Sequence, residues 1–160
     1  MPVPPIRGHR PLRWCTAVGT VVVLASANAG LATRARADAD SLYRASVAAA
    51  RGRSCQPLNY HPLLQHAAED ATQSTASYLD GTARAVPIAD PKPVLHDLGY
   101  GASKSFLLSG AGDSEAKALE GALIEGYKII PDCSLVDFGM NFGVDQKSGW
   151  HLFSLVLAAQ

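Results

Sequence analysis

Hydrophobic positions along this chain change period, from helical in its first two thirds to alternating near its end. Leu42 to Arg53 is Ala-rich. There Leu42, Ala45 and Ala49, and Tyr43, Val47 and Ala50, follow three- and four-residue spacings behind a capping Asp40 or Ser41. The spacing predicts a helix that Gly52 and an irregular stretch over residues 54–60 bring to an end. Pro62 suits the first position of a second helix, where its missing N–H costs nothing. Leu63, Leu64, Ala67, Ala68 and Ala71 form its apolar stripe, continued by Thr75, Tyr78 and Leu79 up to Gly81.

Residues 82–92 carry Pro87 and Pro91 and read as irregular, followed by one short helix over 93–98 that Gly99 stops. Residues 105–109, packed by Phe106, Leu107 and Leu108, read as a short strand or a loop, broken by Gly110-Ala111-Gly112. Asp113 caps a helix over about 114–128 with Ala116, Leu119, Leu123 and Ile124 inward. Gly121 and Gly126 weaken that helix unless close packing requires them.

The period then drops to two. Val136, Phe138, Met140, Phe142 and Val144 alternate with Asp137, Gly139, Asn141, Gly143 and Asp145, as in a half-buried strand. Residues 145–149 make a turn, and 150–158 form a strand that is apolar on both faces and therefore central. Helices first and strands last predict an α+β fold: helices packed on a small antiparallel sheet, like an α-β-α sandwich, with a C-terminal hairpin. The hairpin is expected to share one core with the Leu63–Ala71 and Leu119–Ile124 stripes.

Charge changes the picture of the first 37 residues. Arg7, His9, Arg10 and Arg13 precede an apolar or small-residue run from Cys15 to Ala32, and Ala35-Arg36-Ala37 gives a small-x-small pattern before Asp38. This reads as a cleaved signal peptide, with retention as a signal anchor the alternative. All 14 acidic residues lie at or beyond Asp38, and so do 9 of the 14 basic ones, so residues 38–160 carry a formal charge of −5. An acidic single domain without a Lys/Arg cluster is a poor nucleic-acid partner. No later apolar run approaches the roughly 20 residues of a membrane helix. The expected location is secreted or in the cell envelope.

Two cysteines remain beyond that segment, Cys55 and Cys133. In an exported chain an even pair reads first as a disulfide. A metal or catalytic thiol is the alternative, although neither Cys has a neighbouring His or Cys in sequence.

The order of features resembles the CAP superfamily, the cysteine-rich secretory, antigen 5 and pathogenesis-related proteins. The resemblance runs from Leu42-Tyr43-Arg44 through the Cys55–Tyr60 segment into Leu63-Leu64-Gln65-His66-Ala67-Ala68. Asp80-Gly81, Leu98-Gly99-Tyr100, Val136-Asp137-Phe138-Gly139-Met140 and the final strand continue it, so that it spans about residues 41 to 158. It implies a CAP-like sandwich. It also implies a cleft with two His and two acidic residues, and here the sequence departs. Thr75-Ala76-Ser77-Tyr78-Leu79 and residues 126–131 stand where the resemblance places the histidines, and neither holds one.

Other chemistry is sparse. His66, Glu69 and Asp70 share one helical face, as metal ligands do, and also as any solvated polar face does. His96-Asp97 has no third group or nucleophile assigned to it, and no Gly-x-Ser-x-Gly elbow exists. His151 shares a strand face with Phe153, Leu155 and Leu157, as a half-buried hydrogen-bonded His does. Gly110-Ala111-Gly112 lacks the rest of a phosphate loop, and Asp113 and Glu115 repel phosphate. The expected function is therefore an exported, non-enzymatic binding domain for an apolar small molecule, a lipid, or an envelope or host partner. Tyr78, Tyr100, His96 and Tyr127 are its candidate binding residues, and no cofactor or metal is expected. The alternative is an exported hydrolase or metal-dependent enzyme using His66, Glu69, His96 or His151.

Overall fold

The computed structural model describes residues 39–160. The signal segment read over residues 1–37 lies outside them. Helix α1 occupies residues 39–51 and ends at Gly52, whose φ of 73° suits a residue without a side chain. There follow β1 (Asn59–Tyr60), α2 (Pro62–Leu79), α3 (Lys92–Asp97), β2 (Lys104–Gly112), α4 (Glu115–Glu125), β3 (Asp137–Val144) and β4 (His151–Ala159). Helices α2 and α4 each start on a side-chain cap. The His61 Nδ1 accepts from Leu63 N–H at α2, and the Ser114 hydroxyl accepts from Lys117 N–H at α4.

The four strands form one mixed sheet in the order β1-β3-β4-β2, of α+β class. Strand β4 is antiparallel to both neighbours, and β1 joins β3 in parallel. The alternation of β4 divides the core in two. Phe153, Leu155 and Leu157 meet Val47 of α1, Ala118 and Ala122 of α4, and Phe138 and Met140 on one face. Val156 and Ala158 meet Leu64, Ala67 and Ala68 of α2, with Leu95 and Tyr100, on the other. The sheet is thus sandwiched, with α1 and α4 on one side and α2 and α3 on the other.

Four expectations are corrected. The two helical stripes do not cover one shared core, because α2 faces Gly139 and Gly143 while Phe138 and Met140 point at α1 and α4. Val136, Ile124 and Trp150, expected inside, are exposed, as are Tyr78 and Leu79. Gly110-Ala111-Gly112 does not break β2, which runs nine residues and pairs along the whole of β4. The glycines are there because α4 lies directly on them: a Cβ on Gly110 would fall 1.9 Å from the Ala118 carbonyl oxygen. Strand β1 adds a parallel partner to a sheet expected to be antiparallel; Asn59 N–H donates to the Val136 carbonyl (2.8 Å) and His61 N–H to that of Phe138 (2.9 Å).

Candidate functional site

After α1 the chain must turn back to reach β1, and two features fix that turn. Cys55 and Cys133 are disulfide-bonded, with Cα atoms 5.0 Å apart and 78 residues between them. Arg51, only 3% exposed, supplies the second. Its Nε donates to the Gln56 carbonyl (2.7 Å), Nη1 to those of Ile130 (2.9 Å) and Asp132 (3.2 Å), and Nη2 to that of Leu135 (2.7 Å). One guanidinium therefore joins three segments through neutral oxygens, and burial pushes its pKa below the ordinary arginine value. The nearby Asp132 carboxylate is paired instead with Lys104 and Ser134, which hold its pKa well below the usual range.

Between α1, this loop and the sheet edge lies a cavity of about 470 Å³. Val47 and Ala48 of α1 form one wall, and Pro57 and Leu58 of the loop form another. Tyr60 of β1 and Phe138 of β3 complete the apolar lining, their ring centroids 6.1 Å apart in an edge-to-face arrangement. The Tyr60 hydroxyl donates to Gln65 Oε1 (2.6 Å), which fixes the ring. Arg44 and Arg51, two turns apart on α1, are the charged residues of the lining, which includes no acidic residue. Arg44 places its guanidinium carbon 4.3 Å from the Tyr60 ring centroid, and its Nε donates to Asp40 (2.8 Å). Further along α1, the Tyr43 hydroxyl donates to Glu115 of α4. That bond, with burial, pushes the Tyr43 pKa up to about 12.

The residues singled out from sequence are elsewhere. Tyr100 is buried beneath α2, its hydroxyl donating to Asp137 (2.8 Å); burial first, then this carboxylate, raises its pKa well above the ordinary value. Tyr78 is exposed near the end of α2, and Tyr127 is exposed after α4 beside Lys128. His96 is exposed on α3, 3.5 Å from Asp97. His66 stands on the wet face of α2, 3.2 Å from Glu69. His151 opens β4 with a buried Nδ1 that has no hydrogen-bond partner. None of these lines the 470 Å³ cavity or a second one of about 200 Å³ beside Thr75 and Ser109. His66, His96 and His151 stand on three different elements, and among the described residues no three His, Cys, Asp or Glu side chains are grouped to hold a metal ion.

Sequence reasoning missed the cavity residues, although one signal was present. Val47 and Arg51 stand four apart, so the apolar stripe of α1 runs directly into an arginine. A charge on the buried face of a helix needs partners from elsewhere in the fold.

No family model matches the chain, and neither any curated protein nor any solved structure does.

Proposed function

We propose that residues 39–160 form an exported domain that binds an apolar small molecule in the cavity between α1 and the β1–β3 edge. The cavity itself carries this reading. Its 470 Å³ lies in the range of roughly 300–1,000 Å³ typical of small-molecule sites, and its lining is mainly aliphatic and aromatic with a few polar groups. Export rests on the disulfide, which persists in oxidising compartments, together with the basic, apolar and small-x-small succession before Asp38. Among the described residues no helix is long and apolar enough to cross a membrane. A CAP-like ancestry is part of the proposal. It draws on the resemblance over residues 41 to 158 and on the helix–sheet–helix layering. The metal-enzyme alternative needs convergent ligands, and among the described residues no three His, Cys, Asp or Glu side chains are grouped to hold a metal ion.

Phenylnaphthylamine, a neutral dye that fluoresces in apolar surroundings, tests the reading. The full chain should bind it saturably. Ala48→Trp, on an exposed position of α1 that lines the cavity, should abolish the signal without changing the unfolding midpoint. Equal emission from both proteins, or none from the unsubstituted chain, would sink the assignment.

A further inference from the structure

The walls of the cavity are apolar, yet its fixed charges are of one sign. Arg44 has five N–H donors, and among the described residues Nε alone is engaged, by Asp40. Its guanidinium lies over the Tyr60 ring, with the Phe138 centroid 5.5 Å away, and no described residue accepts from either Nη group. A guanidinium oriented in this way presents the edge that accepts a carboxylate through two parallel hydrogen bonds. Arg51 adds a second positive charge. Its oxygen partners are all backbone carbonyls, and among the described residues no carboxylate lies within ion-pair distance of it. Asp40 offsets one of the two charges, and the Asp132 carboxylate, which acts on Arg51 from a distance, is itself paired with Lys104, which leaves the lining net positive within a domain that is net acidic.

We propose that the ligand is an aromatic carboxylate, its acid group on the Nη edge of Arg44 and its ring body against Phe138, Val47 and Leu58. The edge-to-face pair of Tyr60 and Phe138 favours a flat ring, which extends such a cluster and loses little conformational freedom on binding. The anion belongs at Arg44 because the Arg51 guanidinium is already committed to four carbonyl bonds. This rests on the ligand-binding reading of the cavity, and the test separates the two.

Naphthoate and naphthamide have nearly the same shape and differ in charge, and their affinities for the full chain can be compared by calorimetry. Naphthoate should bind roughly tenfold more tightly, as a charge-assisted bidentate pair requires. Arg44→Gln should remove that preference, lowering the affinity for naphthoate roughly tenfold relative to that for naphthamide. Asp40→Asn should strengthen naphthoate alone by roughly threefold, an effect that a purely structural Asp40 would not produce. Equal affinities for the two compounds, or a preference that survives Arg44→Gln, would overturn the inference and leave the apolar cavity standing. Absence of binding by both compounds and by the neutral dye would overturn the cavity reading itself.

Discussion

Phe138 and Gly139 are neighbours in β3, yet they face two different worlds. On the Gly139 side α2 rests on the strand backbone: a Cβ there would fall 2.1 Å from the Gln65 nitrogen, and one on Gly143 would fall 2.5 Å from a Thr72 methyl. Nothing fits between that helix and that strand. On the Phe138 side a large ring stands between β3 and α1, and the loop after α1 closes over the remaining space. The two faces teach that side-chain size on a strand sets the helix–sheet distance. Glycine seals a face, whereas an aromatic ring holds the helix off and leaves room that a cross-linked loop can enclose.

Removing the ring should have the largest effect. Phe138 is buried, belongs to the core of its face and lines the cavity, so Phe138→Ala should destabilise by about 3–5 kcal/mol in chemical denaturation. Losing the disulfide comes next. Cys55→Ser with Cys133→Ser should cost about 2–4 kcal/mol, because the bridge closes a long loop in the unfolded chain. It should also weaken dye binding, since Cys55 lines the cavity. Unchanged binding with lowered stability would show that Arg51 alone holds the loop. Gly139→Ala should cost about 1–3 kcal/mol by forcing α2 outward while leaving dye binding intact. Were it to abolish dye binding instead, the two faces would not be independent.

The elements whose residues repeat with one period over many positions were legible in the sequence. Helix α2 and the β3–β4 hairpin were placed to within a residue or two because Leu64, Ala67, Ala68 and Ala71, or Phe138 and Met140, repeat at the spacing of their element. Which helix covers which face was not legible. It depends on glycines read as polar-side positions of a strand, and a glycine against a helix backbone has the same letter as one against water. Strand β1 was invisible because two residues show no period and its bonds are backbone ones. The disulfide was inferred from an even cysteine count. The cavity was missed because it depends on Arg51 reaching the carbonyls of Ile130 and Leu135, some eighty positions away. The tyrosines were chosen for chemistry without knowledge of burial, and Tyr100 turned out to be held in the core.

The sealed face has an electrostatic consequence, and it gives the smallest predicted effect. Asp80 caps the end of α2, and its carboxyl meets that of Asp145 at the β3–β4 turn. Two carboxyls so placed are held together only when one of them keeps a proton. Asp145 is held down at about 2 by the Ser148 hydroxyl, by Asp80 and by backbone N–H groups of the turn. Asp80 is accordingly pushed above the ordinary aspartate value, chiefly by its bond to Asp145. The sign follows from linkage. A carboxyl whose folded pKa is raised favours folding while protonated, and that contribution is lost as pH rises through the folded pKa. Near neutral pH the ionised pair therefore opposes the close seat of α2. Asp80→Asn keeps a hydrogen-bond donor without the charge, so it should raise the unfolding midpoint near pH 7, and the gain should fade by about pH 3, where Asp80 carries its own proton. Thermal unfolding of both proteins at the two pH values measures the difference. A gain of equal size at both would mean that the amide improves packing without relieving repulsion, and a loss at neutral pH would mean that Asp80 and Asp145 do not meet across the sealed face.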